Sequence, residues 1–452
     1  MDWLKIAQSY KEEYIEKTQA LLRIPTVLET FNPSNNEAPF GEDIRRALDW
    51  FLYMGEADGF KIKNIDNYAG HLEMGSGSEV LGILGHLDVV PTGGKWDYPP
   101  FGATLVDGKI YARGSIDDKG PSMAAYLAMK MVKDQHLNLN KKVRLILGCD
   151  EESGMRCIRR YLEKEQMPDL GFAPDADFPL IYGEKGNVSW NITGFENDDL
   201  LESINAGERY NVVPDECVAV LKKDVRSAFE AYLADHQYQG KVEDHTYTIY
   251  GKNSHAAWPY MGVNAIFLMA EFLKTQTTSK LVNYLCKYMT HDYYGKKLGI
   301  DHFDPEMKEL TINLAIINYE KGAFTVGVNI RYPLGFELDK QLSKVERTIL
   351  DYGFSYTQLR NSNPHYVSPQ DPLVKTLLAA YQKYSKDYTS PIVTIGGGTY
   401  ARALKKAVAF GPNLPNNPDL AHQPNEYVIV DDMIMAAAIY AEAIEHLCTE
   451  QA

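Results

Sequence analysis

Apolar residues recur along this chain with three different periods, and the changes of period mark out an architecture. Between positions 3 and 23, Leu4, Tyr10, Tyr14, Ile15, Thr18, Leu21 and Leu22 fall near helical spacing, and Pro25 stops the run. A second helix is predicted over 41–58, ending before Gly59. The short runs 80–84 and 143–147 are almost wholly apolar, as strands buried on both faces of a mostly parallel sheet are. Between them, 121–133 reads as a helix with proline in its first turn, where a missing N–H costs nothing. Strands that alternate with helices predict an α/β layered domain.

The texture changes after residue 186. Segments 187–193, 246–250 and 324–331 alternate apolar and polar residues, the pattern of half-exposed antiparallel strands. Helices are predicted at about 262–275 and 337–352. The α/β pattern resumes with 391–395, a glycine run at 396–398 and a last helix near 431–447. The simplest account is an α/β domain in two parts, 1–186 and 379–452, holding an inserted α+β domain at 187–378. A chain of 452 residues suits two such domains.

Composition narrows the function. Hydrophobic residues at 45% and charged residues at 24% are the proportions of a globular protein. A net charge of −15 argues against nucleic acid as a partner, because phosphate demands basic patches. The five cysteines, 149, 157, 217, 286 and 448, form no Cys-x-x-Cys pair, which fits a reducing compartment and no zinc finger. The N-terminal segment is amphipathic and charged without an apolar h-region, and no run of 18 apolar residues occurs. A cytoplasmic protein with no membrane partner is expected.

Oxygen and imidazole donors gather where strands end. The run 82–88 closes on His86-Leu-Asp88; 114–120 reads Gly-Ser-Ile-Asp-Asp-Lys-Gly; 147–154 reads Leu-Gly-Cys-Asp-Glu-Glu-Ser-Gly. Asp175 follows in Phe-Ala-Pro-Asp-Ala-Asp, and His422 stands far off in Asp-Leu-Ala-His-Gln-Pro-Asn-Glu. Ligands in parallel α/β sheets collect beyond the carboxyl ends of strands. A lone His-x-Asp or Glu-Glu is more often a solvated surface feature; jointly, these motifs supply the donors for two divalent ions. His86 would give one ring nitrogen to a metal while Asp88 holds the other. Asp117, before a helix, can bridge two ions. Of Glu151 and Glu152, one can bind metal while the other receives a proton.

Gly-His-Leu-Asp-Val-Val-Pro, Ala-Arg-Gly-Ser-Ile-Asp-Asp-Lys-Gly and Asp-Glu-Glu-Ser, in this order and spacing, resemble the co-catalytic metallopeptidases that include aminoacylases, glutamate carboxypeptidases and carnosinases. Phe-Ala-Pro-Asp-Ala-Asp-Phe-Pro and Gly-Glu-Lys-Gly look most like the PepV-type bacterial dipeptidases. The resemblance implies that His86, Asp117 and Asp175 bind one ion, that Asp117, Glu152 and His422 bind the other, and that Glu151 is the general base. Asp118 is the poorer bridging candidate. It implies further that His255 is a lid histidine serving the oxyanion, and that Asn211 and Arg331 contact substrate. Gly397, Gly398 and Thr399 would receive a peptide's carboxylate; no Gly-Lys-Ser/Thr follows the glycines, which excludes a nucleotide loop.

The expected function is therefore a dipeptidase acting on small unblocked dipeptides through two divalent ions, zinc first, with manganese or cobalt as alternatives. The rivals are an N-acyl amino acid deacylase or carboxypeptidase on the same scaffold, and a catalytically dead binding protein. A monomer is favoured over a homodimer.

Overall fold

The computed structural model describes residues 1–449. They divide into two compact units. The first comprises Met1–Gly183, Tyr366–Val393 and 398–449; the second comprises Glu184–His365 and Thr394–Gly397. Each has its own apolar core.

The first unit is built on a mixed sheet with a parallel centre. Lys142–Gly148, Val80–His86, Leu170–Ala173 and Ala407–Ala409 lie side by side and parallel. Ala69–Gly75 and then Lys61–Ile65 continue one edge antiparallel. Every residue of Val80–His86 is buried, which is what its unbroken apolar run requires. Both faces are covered. Gly70 lies against Leu48 and Leu52 of helix Glu42–Ala57, whereas Gly148 lies against Cys157 of helix Arg156–Lys164. Helix Lys119–Asp134 starts beside the strand end at Gly85, where an added Cβ would fall 2.1 Å from Ser122 Oγ. Only glycine allows that approach.

Long-range packing shifts several sequence expectations. The helix expected over 3–23 is two, Trp3–Ser9 and Lys11–Leu22. Tyr10 breaks it: its N–H turns to Ala7 O, and its hydroxyl donates to Asp134 at 2.8 Å. The insert ends at 365 rather than 378, and begins at 184 rather than 187. Helix Pro372–Ser385 packs on the C-terminal helix Val430–Cys448, both contributing to the first core. Helices Arg156–Lys164, Arg226–His236 and Lys280–Tyr288 were not anticipated.

The second unit is an eight-stranded antiparallel sheet with helices packed on it. Strand alternation sorts its faces. Val188, Trp190 and Ile192 enter the core, so Asn187, Ser189 and Asn191 face the other way. The register sets Asn187 opposite Arg331 and Ser189 opposite Asn329, which extends this polar face across two strands. No helix among the described residues is long and apolar enough to cross a membrane.

One buried group makes the first unit pH-sensitive. His71, on Ala69–Gly75, accepts the Tyr161 hydroxyl at 2.8 Å and so ties helix Arg156–Lys164 to the sheet. Burial, then the Arg144 charge, lower its pKa from 6.5 to about 4. Between those values the unfolded chain binds a proton that the folded chain refuses. Stability is therefore full above pH 6.5 and lost as pH falls towards 4, at a slope approaching about 1.4 kcal/mol per pH unit. Urea denaturation at pH 7 and pH 5 isolates this group by difference: on acidification the native protein should lose about 1–2 kcal/mol more than His71→Gln does.

Candidate metal centre

Three parallel strands deliver acids and a histidine to one end of the first unit. His86 is the last residue of its strand; Glu151 and Glu152 follow Lys142–Gly148, and Asp175 follows Leu170–Ala173. Asp117 precedes helix Lys119–Asp134 and is joined to Asp118 by a cis peptide. His422 arrives on the loop before strand Tyr427–Ile429.

Asp117 stands between two histidines. Its Oδ1 lies 3.1 Å from His86 Nε2, and its Oδ2 lies 3.0 Å from His422 Nε2. Asp175 Oδ2 is 3.8 Å from His86 Nε2, and Glu152 Oε1 is 3.1 Å from His422 Nε2. Donor atoms of His86, Asp117 and Asp175 all lie within 4.8 Å of one another, and so do those of Asp117, Glu152 and His422. These two triads, sharing Asp117, join all five residues expected as ligands.

The ring of His86 is fully buried, and its Nδ1 lies 2.9 Å from the Asp88 carbonyl. That acceptor takes the Nδ1 proton and turns the Nε2 lone pair towards the acids. The Asp88 carboxylate is 3.5 Å from the ring, too far to be its main partner. This corrects the expectation for Asp88. Its two oxygens instead accept the backbone N–H groups of Glu151 at 3.0 Å and Glu152 at 3.1 Å, so it shapes the turn that presents both glutamates. Asp150 is turned away and gripped by Arg156 through Nε at 2.6 Å and Nη2 at 2.7 Å.

Charge in this cluster is strongly coupled. Burial, with repulsion from Glu152, Asp117 and Asp88 outweighing the attraction of His86, pushes Glu151 up to about 8. Burial and then Asp117 raise Asp175 and Glu152 as well. Burial opposes ionisation of Asp117 too, yet its bonds to His422 and His86 hold it far below the usual carboxylate range. The same bonds from Asp117 and Glu152 raise His422 to about 10. Hard oxygen donors and imidazoles whose charges repel this strongly fit divalent cations. Glu151, Glu152, Asp117, Asp175 and His422 line a cavity of about 280 Å³, together with Gly398 and Thr399.

The glycine run leads into a short 3-10 helix, Tyr400–Ala403, and Thr399 Oγ1 caps it by accepting Ala401 N–H at 3.2 Å. Gly398 and Thr399 belong to the first unit, while Gly397 belongs to the second.

The other expected residues lie in the second unit. Asn211 and Arg331 line one cavity of about 590 Å³ with Asn187, Ser189, Tyr210 and Asn329. Arg331 is buried, contrary to the solvated position a half-exposed strand suggests. Its Nε donates to Asn329 Oδ1 at 3.1 Å and its Nη1 to Gly396 O at 3.3 Å. Asn211 and His255 are neighbours, because Val212 bridges His255 and Asn211 O accepts Ala256 N–H. His255 is exposed; crowding round its ring and the Arg331 charge lower its pKa. Two residues the sequence did not single out, Arg113 and Glu426, lie buried behind the centre, inside motifs that carry expected ligands.

A profile of the peptidase family M20/M25/M40 matches residues 82–446. A protein of Bacillus subtilis (strain 168) named "Putative dipeptidase YtjP" is 41% identical over 99% of this chain and 100% of its own length. A "Putative dipeptidase" of Staphylococcus epidermidis is 39% identical, with the same coverage. Human carnosine dipeptidase 1 shares the fold at 14% identity with a TM-score of 0.61, covering 98% of both chains. Aminopeptidase PepT from Bacillus cereus does so at 15% identity and 0.59, covering 97% of this chain and 98% of its own.

Asp88→Ala leaves two backbone N–H groups in the Glu151-Glu152 turn without their acceptor. It should cost about 1–3 kcal/mol of stability by urea denaturation, with Asp88→Asn, which keeps one acceptor, costing less.

Proposed function

The chain belongs to the peptidase family M20/M25/M40, and on that premise we propose that it is a dipeptidase hydrolysing small unblocked dipeptides with two divalent cations. The observation that carries this reading is the division of the Asp117 carboxylate between two donor triads, with Glu151 beside them. His86, Asp117 and Asp175 would hold one cation, and Asp117, Glu152 and His422 the other. Bound there, two cations would polarise the scissile carbonyl and acidify water near neutral pH. Zinc, manganese and cobalt all suit this donor set, with zinc taken first.

Glu151 supplies the proton shuttle. It belongs to neither triad, and its raised pKa suits a group that takes a proton from water and returns it to the leaving amine. The cavity holding Asn211 and Arg331 offers amide donors and a guanidinium, the chemistry that binds a terminal carboxylate. His255 is assigned the oxyanion.

Three measurements test these roles. Chelation should remove metal and activity together, and readdition should restore both; turnover by protein shown metal-free would end the two-cation reading. Glu151→Ala should keep both ions and lose about 10²–10⁴-fold in turnover, whereas Glu152→Ala should weaken one ion. Arg331→Ala should raise KM for a free dipeptide by about tenfold or more and change little for its C-terminal amide. Faster cleavage of N-acetylated than of unblocked dipeptides would favour a deacylase instead.

A further inference from the structure

The least supported ligand in the centre is His422. Its side chain is 50% exposed, against 0% for His86, 10% for Glu152, 14% for Asp117 and 17% for Asp175. Packing therefore cannot place its ring, and its backbone must. That backbone is in the left-handed region, at φ 63°, where a residue with a Cβ rarely sits unaided.

Behind it lies a buried ion pair. Arg113 and Glu426 are 2% and 0% exposed, and Arg113 Nη1 donates to Glu426 Oε2 at 2.6 Å. The guanidinium also reaches three carbonyls: His422 O at 3.3 Å, Gln423 O at 3.3 Å and Pro91 O at 3.4 Å. The other oxygen of Glu426 faces the opposite loop. It accepts the N–H of Ile116 at 2.8 Å and of Asp117 at 3.3 Å, with Ser115 Oγ at 3.5 Å. The pair thus joins the backbone of His422 to that of the shared ligand Asp117.

Stability alone does not account for such a pair. Desolvating two charges costs several kcal/mol each, and well-packed apolar replacements are often neutral or stabilising. Arg113 Nε, moreover, is buried with no hydrogen-bond partner.

We infer that Arg113 and Glu426 are positioning residues that set the spacing of His422 and Asp117, and so the affinity of the Asp117–Glu152–His422 triad for its cation. The inference rests on the two-cation reading above. Metal binding outside turnover tests it. Stripped protein is titrated with Co²⁺, followed by its visible absorption, and with Zn²⁺ in competition with a fluorescent chelator. Native protein should take up two ions. Glu426→Gln keeps an oxygen for the Ile116 and Asp117 N–H groups but turns an amide towards Arg113. It should weaken one ion about tenfold or more and leave the other unchanged, with the Co²⁺ spectrum altered as in His422→Ala and not as in His86→Ala. The paired change Arg113→Met with Glu426→Leu, which leaves no charge unpaired, should fold and weaken the ion of the Asp117–Glu152–His422 triad at least as much. Wild-type affinity for both ions in either folded variant overturns the inference. Failure of both variants to fold also overturns it, by making the pair a stability element. Native protein that binds no pair of ions defeats the two-cation reading itself.

Discussion

Asp117, Glu151, Glu152 and Asp175 are brought together at the ends of parallel strands, and the scaffold must bear their mutual repulsion. At 4 Å, two unit charges repel by about 4 kcal/mol when the effective dielectric constant is 20. Freely rotating side chains would separate. Here the backbone prevents it. His86 is oriented by a carbonyl, the Glu151-Glu152 turn is fastened by Asp88, and Asp150 is held aside by Arg156. Much of the first unit can be understood as the means of holding this cluster in place: a rigid sheet centre, helices on both faces, and short buried tethers from loop to loop.

The parts of this arrangement legible in the sequence are those set by local pattern. The apolar runs through Val80 and Val143 are fully or almost fully buried strands, and the alternation after residue 186 is an antiparallel sheet. Four of the five expected ligands lie at or just after a strand end or beside a helix start, where chain topology alone brings loops together, and His422 joins them on a loop far along the chain. What stayed hidden depends on partners distant in sequence. Nothing local to Tyr10 shows that Asp134 will hold it out of a helix. Pro372–Ser385 lies outside the insert because it packs on Val430–Cys448, a contact that no local pattern reveals.

Polar residues were harder still. The burial of Arg331 comes from the carbonyl of Gly396 and the side chain of Asn329, neither of which strand periodicity reveals. Asp88 meets the second ring nitrogen of His86 through its carbonyl, where the sequence suggests its carboxylate. A motif records that an acid is needed, not which of its atoms meets which neighbour. Glu426 lay in plain view four residues after His422, yet its partner Arg113 is 313 positions away.

The ligands are also spread unevenly along the chain. His86, Asp117 and Asp175 lie within the first 175 residues, whereas the second triad needs His422. Domains generally fold as units during synthesis, N-terminal ones first. A ribosome-bound chain thus carries the donors of the first triad long before it carries His422, with the whole inserted unit translated in between. The donors of the first triad are made early, but the loop that carries Asp117 gains its Glu426 acceptor only with the segment that follows His422, so both triads wait for the returning part of the first unit.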